Sequence, residues 1–587
     1  LCFAPRILTN FSMHWQFAPQ ADAGLTASLA QSLGVPSAIA ALLVQRGVTS
    51  YDQAKAYFRP EWSGLHDPFE MTDMDAAVDR IMDALAQGSR LMVYGDYDVD
   101  GTCSVALMAG FLQQFTDQVI TYIPDRYLEG YGVSWVSVDR AQAAQIDLVI
   151  ALDCGIKAHE QIAHAKTLGI DYVVCDHHEP GATLPPAVAV LDPKRSDCSY
   201  PYKELCGCGV GLKLIHGLCL AMGLDPESTL APYLDLVVTA IAADIVPLTG
   251  ENRTLAYLGL AQMNQKPRAA FAVLTEHTKQ RPLQMEQLQF HVAPRINAAG
   301  RIKHGQHAVS LLMEESLEQA RAMAQEIETW NTQRRGHQET IFQEALAQVE
   351  ALQEQQASAT VVCGHWHKGV IGIVASKLTE TYYRPTVVFT EHEGILHASA
   401  RSVSDFDLHA ALEACSQHLI QFGGHKAAAG MSCDPNQYEA FKTAFNRMVA
   451  ERIEAHQKTP SIRVDATIEL REVNPKLMRI LQQMGPFGPG NEAPVWAAYA
   501  VHETGYAQTV GADNSHLKGA WAQGDSAAIP FIGFGWAHAQ SLMSARSIVD
   551  VLFSISSNTW NGATSVQLMV KDLKKSSVIS TAAEEEY

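Results

Sequence analysis

The sequence predicts two α/β lobes joined by a long helix and followed by a small C-terminal β-barrel. Three observations carry this. Five short apolar runs between Arg90 and Leu248 alternate with helical patterns and end in an acid or a turn residue, the rhythm of a parallel, doubly wound sheet. A proline-free stretch rich in Ala, Glu, Gln and Leu follows from Glu314 to Gln356, where one long helix or a helix pair is expected. Beyond Pro460 the texture changes to short β-rich runs punctuated by Gly and Asn.

Taken in order, residues 1–60 are expected to be a leader and a helical segment. The first twelve contain Arg6 but neither a long apolar region nor a small-residue cleavage site, and Met13 is an alternative start, so they are set aside. Residues 61–265 hold the runs LMVYGD, QVITYIP, IDLVIALD, DYVVCD and AVAVLDP and form the first lobe. In such sheets the ligand sits beyond the carboxyl ends of the strands, and the residues standing there are mostly Asp. Residues 266–356 are a linking region and the long connector helix, with Gly336 the place of the break if the connector is a helix pair. A second α/β pattern, ATVVCGHWHKGVIGIVASKL and RPTVVFTEHEGILHASARS, fills 357–455. The runs SIRVDATIEL, PVWAAYAVHET, AAIPFIGFGWA, IVDVLFSISSNTW and TSVQLMVKDL within 460–577 predict five strands of a barrel, with the OB-fold the leading expectation, and 578–587 is an acidic tail.

The chain has 587 residues, 47 % of them hydrophobic and 18 % charged, which excludes a wholly disordered protein. Its net charge of −20 disfavours a polyanionic partner unless basic groups are gathered in one place. No apolar run reaches the roughly 18 residues of a bilayer span; Leu214–Leu224 is broken by His216 and Gly217. A soluble, cytoplasmic protein without membrane attachment is expected. Eleven cysteines without paired spacing suit reduced thiols. Cys206 and Cys208, in CGCG, lack the second half of a zinc site and read as packing.

The strongest chemical signal is VYGDYDVDGT, where an apolar strand delivers Asp96, Asp98 and Asp100 at alternate positions before Gly101. Three carboxylates this close raise one another's pKa unless cations neutralise them, and oxygen ligands favour Mg²⁺ or Mn²⁺. Asp153 follows the next run, and Asp176, His177 and His178 the one after. Two His after an Asp at the active edge of a sheet suit a metal ligand beside a phosphate or proton-handling partner. Asp244 closes VVTAIAADIVPL; alone it would be a helix-end acid. Together Asp98, Asp100, Asp153, His177 and Asp244 suit two divalent ions sharing a carboxylate, roughly 3.5–4 Å apart, an arrangement that activates water against a phosphoryl centre. Phosphoester hydrolysis is the expected chemistry.

With these residues in view, DYDVDG, LDCG, the literal DHH of Asp176–His178, DIVPL and GGHKAAAGM (423–431) resemble the ordered motifs of the DHH phosphoesterases and their DHH-associated domain. PRINAAGR, WHKGVIGIVASKL and SARS narrow the resemblance to the branch of single-strand-specific 5′-to-3′ DNA exonucleases, from about Ser32 to Leu573. The resemblance implies Asp98 and Asp100 as metal ligands, Asp153 as the bridging ligand, His177 and Asp244 completing the second ion, and His178 on the scissile phosphate. The reacting centre would then rest on His178, Asp153 and Asp100. Some relatives have a His four residues before the equivalent of Asp98, where this chain has Tyr94, and Asp96 is expected to take over that ligand's role.

Between Arg281 and His304, Arg281, Arg295, Arg301 and Lys303 face only Glu286. PRINAAGR is expected to present Arg295 and Arg301 around a small-residue turn, since Arg binds phosphate oxygens bidentately; the rival reading is a packing turn with surface Arg. Ser399 and Arg401 alternate on a strand end and share a face, and the resemblance implies that this region recognises the 5′ end. Gly423 and Gly424 permit close backbone approach, with His425 and Lys426 beside them for a phosphate. His365, Trp366, His367 and Lys368 pair stacking with charge, although Trp366 equally suits a core. Arg126 in PDRYLEGYG is a candidate backbone clamp, with a surface salt bridge as its rival. In the β-rich end Trp496, His516, Lys518, Trp560, Asn561, Lys571 and Lys574 suit an OB-type strand-binding surface, with packing favoured for each Trp.

The expected function is a metal-dependent 5′-to-3′ exonuclease that degrades single-stranded DNA to 5′-mononucleotides in recombination and repair. Its resemblance implies a monomer, with a single-stranded-DNA-binding protein and a helicase as partners. The rivals are a DHH phosphodiesterase acting on short oligonucleotides or cyclic dinucleotides and a non-catalytic single-strand-binding scaffold. The β-rich extension favours a polymer substrate, and the intact acids and histidines disfavour a scaffold.

Overall fold

A computed structural model describes residues 13–543, 547–560 and 563–576; for residues 559, 560 and 563 it describes the backbone alone. The expected leader 1–12, the acidic tail 578–587 and Asn561 lie outside the described residues. The chain forms two compact units, one from Lys55–Arg334 with Met484–Glu492, the other from the chain up to Ala54, Arg335–Gln483 and the chain from Ala493 onward.

The first unit is built on five strands, β1 Leu91–Gly95, β2 Val119–Tyr122, β3 Leu148–Leu152, β4 Asp171–Cys175 and β5 Ala189–Leu191, all parallel in the order β2-β1-β3-β4-β5. Side chains of β1 alternate between two separate cores: Leu91 and Val93 pack on one face, Met92 and Tyr94 on the other. Burial on both faces explains why these strands read as continuous apolar runs. The chain reverses direction across the sheet between β1 and β3, so the crevice beyond their carboxyl ends is the topological switch point where such sheets hold ligands. Three helices meet there: α1 Val99–Leu112, α2 Gly207–Met222 and α3 Leu234–Asp244. α1 is apolar almost all round and buried, which fixes its N-terminus under the crevice.

PRINAAGR is not the expected turn. Residues Ala293–Ile302 form a helix, α4. Its small residues serve packing: a β-carbon on Gly300 would lie 2.7 Å from the Tyr97 carbonyl oxygen, so the helix backbone rests directly on the DYDVDG loop. The connector is a single helix, α5 Leu317–Ala351, that carries the chain from the first unit into the second. Of the two expected forms, one long helix or a pair broken near Gly336, the first is found, because good helix formers on either side of Gly336 outweigh about 1 kcal/mol of glycine penalty.

The second unit contains a mixed sheet of β6 Thr360–Gly364, β7 Thr386–His392, β8 Ile395–Arg401, β9 Gln421–Gly424 and β10 Ala428–Cys433, in the order β9-β10-β8-β7-β6, with helix α6 Ile371–Tyr382 packed on it. The β-rich end closes a ring of five strands: β11 Trp496–Glu503, β12 His516–Ala522, β13 Ile529–Gly533, β14 Ile548–Trp560 and β15 Ala563–Lys575. The barrel holds, but its membership differs from the expected set. β12 takes the place in the ring expected of the 461–470 run, whose Ser461–Val464 pairs in parallel with His14–Phe17 and whose Ala466–Thr467 joins the barrel only at its edge, in parallel with β11.

Candidate metal centre and phosphate-binding residues

Asp98 caps the N-terminus of α1, its Oδ1 accepting from the Gly101 amide at 3.1 Å. Gly101 is required at that turn, since a β-carbon there would fall 2.3 Å from the Asp96 carbonyl oxygen. Asp100, in the first turn of α1, is gripped from across the crevice: the Gly207 and Cys208 amides at the start of α2 donate to its two oxygens at 2.7 Å each. Those donors hold the carboxylate's orientation at a helix N-terminus, where negative charge is favoured. Asp153 follows β3 in a left-handed conformation, φ 60°, and its amide donates to the Cys175 carbonyl at 2.8 Å.

While Asp98 lies outside both groups with ligand spacing, Asp100, Asp153 and Asp244 converge on His177. Its Nε2, buried and without a hydrogen bond, lies 3.1 Å from Asp153 Oδ1, 3.6 Å from Asp244 Oδ2 and 3.9 Å from Asp100 Oδ2. Two groups have the spacing of metal ligands, Asp100–His177–Asp244 and Asp153–His177–His178. Burial, then mutual repulsion, raises the acids: Asp100 to about 7, Asp244 to about 8, and Asp153 well above the carboxylate range. Burial, aided by the His178 charge, lowers His177 to about 3, leaving a neutral imidazole. Oxygen donors that are costly to ionise alone, around a neutral nitrogen with no donor or acceptor of its own, are the donor set a hard divalent cation completes. The residues therefore fit the group that the sequence implied.

Asp176 does not join them. Its Oδ1 accepts from the His177 and His178 amides at 2.8 and 3.2 Å and from His178 Nδ1 at 2.7 Å, while Oδ2 accepts from the Ile156 amide at 2.9 Å. Although burial opposes it, these bonds lower Asp176 to about 2, and the carboxylate raises His178 to about 8. His178 is thus a fixed, cationic group at the crevice, suited to a phosphate oxygen. Tyr131, which the sequence reading missed, places its hydroxyl 3.1 Å from His178 Nε2 and donates to the Asp153 carbonyl at 3.2 Å. The tyrosines of PDRYLEGYG were its only sequence signal. The CGCG amides on Asp100 were also missed.

Asp96 stands apart from both ligand groups. It is buried, its Oδ1 has no partner, and burial and Asp98 raise its pKa well above the usual range. Tyr94 points to the opposite face of the sheet, where its hydroxyl donates to Gly132 at 2.7 Å. The Arg126 guanidinium stacks 4.0 Å over the Tyr97 ring, with a buried Nε lacking a hydrogen-bond partner. The Arg301 charge is also felt at Tyr97, and its carbonyl accepts from Tyr127. Arg295 is diverted: its Nε donates to Glu328 at 2.5 Å and its Nη1 to the His291 carbonyl at 2.6 Å.

In the second unit Arg401 Nη1 donates to Ser399 Oγ at 3.0 Å on one face of β8. Both lie against the start of α6, where a β-carbon on Gly372 would be 3.0 Å from Ser399 Oγ and 3.2 Å from Arg401 Nη2. Gly423 pairs with Gly430, which pairs with Ser399, so two adjacent strands present no side chain beside Ser399. Gly424 has φ 148°, and a β-carbon there would sit 2.4 Å from the Ala428 carbonyl oxygen; His425 and Lys426 are exposed in the turn beyond it. Trp366 donates to Glu344 at 2.6 Å and packs on the α5–α6 core, and the His367 and His337 rings stack 5.3 Å apart. Trp496 is fully buried in the barrel.

Comparison with known proteins bears on this geometry. The DHH family N-terminal domain matches residues 90–241, the DHHA1 domain 355–451 and the RecJ OB domain 464–572. The single-stranded-DNA-specific exonuclease RecJ of Bacillus subtilis (strain 168) is 34 % identical over 565 residues, covering 95 % of this chain and 70 % of the relative. The crystal structure of RecJ in complex with Mn²⁺ from Thermus thermophilus superposes with a TM-score of 0.83 at 26 % identity, over 96 % of this chain and 79 % of that one. The Mg²⁺ complex of RecJ from the same organism gives 0.77 at 25 % identity, over 96 % and 78 %.

Proposed function

The chain belongs to the RecJ family of single-stranded-DNA-specific exonucleases, and from that membership we propose that it removes 5′-mononucleotides from the 5′ end of single-stranded DNA in recombination and repair, with Mg²⁺ or Mn²⁺ as cofactor. Within the chain, the observation that carries the reading is the buried His177 Nε2 facing Asp153, Asp244 and Asp100 without a hydrogen bond. Bound there, divalent ions supply Lewis-acid polarisation of a phosphate and acidify water near neutral pH.

The chain's own residues do the rest. Asp98, Asp100, Asp153, His177 and Asp244 hold the ions, and the α2 amides and the Asp153 backbone turn keep two of these ligands in place before substrate arrives. Such preorganisation is where positioning lowers a barrier. His178, held cationic by Asp176, donates to the scissile phosphate as negative charge grows on its oxygens. Arg126 and Arg301 beside Tyr97, and in the second unit Ser399, Arg401, Gly424, His425 and Lys426, bind the strand's phosphates. Arg295 contributes through its Glu328 pair to the packing of α4 rather than to phosphate binding. Asp96, buried beside Asp98 and repelled by it, is left out of this ligand set.

Two rival readings fall. A short-substrate phosphodiesterase leaves the RecJ OB match at 464–572 without a purpose, and a non-catalytic scaffold does not explain an intact ligand set. Family membership is also what supports a single-stranded-DNA-binding protein and a helicase as partners, a monomeric state and work in the cytoplasm. Among the described residues no single helix is long and apolar enough to cross a membrane.

Product analysis on a 5′-phosphorylated single strand tests the reading. Mn²⁺ should release 5′-mononucleotides from the 5′ end and a chelator should stop the reaction. Release from the 3′ end, or equal attack on blunt duplex, overturns it. Asp153→Ala should lose cleavage by at least about 10³-fold while retaining strand binding.

A further inference from the structure

Along the carboxyl edge of the first unit's sheet, Arg126 follows one edge strand, β2, and the metal ligands other than Asp244 follow β1, β3 and β4. The other edge strand, β5, is followed by Asp192-Pro193-Lys194-Arg195, a segment no role above accounts for. It is built as a rigid support. Asp192 is fully buried, and its Oδ1 accepts from the Lys194 amide at 2.8 Å. Arg195 is tied to Asp73 at 2.6 Å and to Asp197 at 2.8 Å. The Leu191 carbonyl accepts from the Asp176 amide at 2.9 Å, which links this support to the DHH segment.

Lys194 itself is half-buried and lines a cavity of about 410 Å³ with Glu179, Lys203 and Glu204. Lys203 Nζ is satisfied by the Cys198 carbonyl at 2.7 Å. The Lys194 ammonium has no hydrogen-bond or ion-pair partner among the described residues, although two glutamates share the cavity. Its charge is felt at two metal ligands, His177 and Asp244, which places it on the flank of the cluster. β3 and β5 are two strand spacings apart, about 10 Å, so a strand laid across the cluster meets this flank within a nucleotide or two of the scissile bond.

We infer that Lys194 is a substrate-binding residue that takes the internucleotide phosphate on the 3′ side of the scissile one. The inference rests on the exonuclease reading. An exonuclease that starts at the 5′ end leaves the rest of the strand on the 3′ side of the scissile bond, and a shallow side cavity suits a chain that continues past the site. The compact, three-donor ammonium meets a phosphate oxygen there without a fixed in-plane geometry.

Steady-state hydrolysis of a 5′-phosphorylated single strand with Mn²⁺ tests this in Lys194→Met, which keeps the stem and removes the charge, and in Lys194→Arg. Lys194→Met should raise KM about tenfold with kcat within about twofold, as expected for one lost charged contact. The slope of log KM against log salt should fall by about 0.7, one single-strand phosphate. Lys194→Arg should restore most of KM. A neutral methylphosphonate at the linkage 3′ to the scissile one should erase the difference between Lys194→Met and the parent protein. An unchanged KM and salt slope overturns the inference, as does a difference that persists on the methylphosphonate strand. A weakened Mn²⁺ affinity with unchanged KM also overturns it, because Lys194 would then act on the ligands. Failure of the parent protein to degrade single strands is seen before any variant and overturns the exonuclease reading itself.

Discussion

Gly207 stands directly against Asp153: a β-carbon at position 207 would lie 2.5 Å from the Asp153 Cβ and 2.7 Å from its Oδ1. The same residue donates its amide to Asp100 Oδ2 at 2.7 Å. One glycine at the start of α2 therefore sets two proposed ligands, one by donating and one by leaving room. Gly207→Ala is expected to displace Asp153 and tilt the amide away from Asp100. A misplacement of about 1 Å lowers kcat/KM on the order of 100-fold. Steady-state hydrolysis of a single strand and a Mn²⁺ titration check this, and both should weaken together. A normal rate would mean that α2 shifts without moving either ligand.

Asp176 acts on His178 and not on the metal cluster. With Asp176 held near 2 and His178 raised to about 8, their pair is intact between those values. The sign follows for each. Asp176, whose pKa is lowered, stabilises the fold above the ordinary value of about 4, and this is lost as pH falls towards 2. His178, whose pKa is raised, stabilises it fully below about 6.5, and this is lost as pH rises through 8. Asp176→Asn should return the His178 midpoint to 6.5 or below, read by NMR titration of the metal-free protein. A midpoint that stays near 8 would assign the shift to other carboxylates.

Much of the centre was legible in the sequence because its logic is local. A strand buried on both faces must be apolar throughout, so a polar residue right after it is conspicuous, and Asp98, Asp100, Asp153 and His177 follow such strands, whereas Asp244 ends the apolar helix α3. What was not legible depends on distant partners. CGCG reads as packing because the carboxylate it holds lies 107 residues away. PRINAAGR reads as a turn by composition, yet its glycine is there so that a helix can approach Tyr97. β12 escaped notice because Lys518 and Gly519 interrupt its pattern; Gly519 makes room for the Phe531 ring, 2.8 Å from where a β-carbon would stand.

Metal binding should release protons. Asp100 titrates near 7 and Asp244 near 8 in the metal-free protein, raised by burial and by their neighbours, so at pH 7 the cluster holds protons that a cation must displace. Mn²⁺ affinity is therefore expected to rise as pH increases from 6 to 8. Calorimetry in two buffers of different ionisation enthalpy gives the proton count directly. An affinity independent of pH, with no buffer dependence, would show that these acids are already ionised without the ion.

In the barrel, Trp521 is fully buried and stacks on Phe531, ring centroids 4.1 Å apart. Removing the ring leaves a cavity between β12 and β13, and Trp521→Ala should cost about 3–5 kcal/mol. Its indole Nε1, however, is buried without a partner, so part of the ring's contribution is offset by an unsatisfied donor. Trp521→Phe removes that donor and keeps most of the stacking surface, so it should cost clearly less than Trp521→Ala. Limited proteolysis of the full chain separates the cases: Trp521→Ala should open β11–β15 to cleavage at temperatures where the parent and Trp521→Phe resist. Equal sensitivity of the two variants would mean that the indole's size, not its stacking on Phe531, holds the barrel closed.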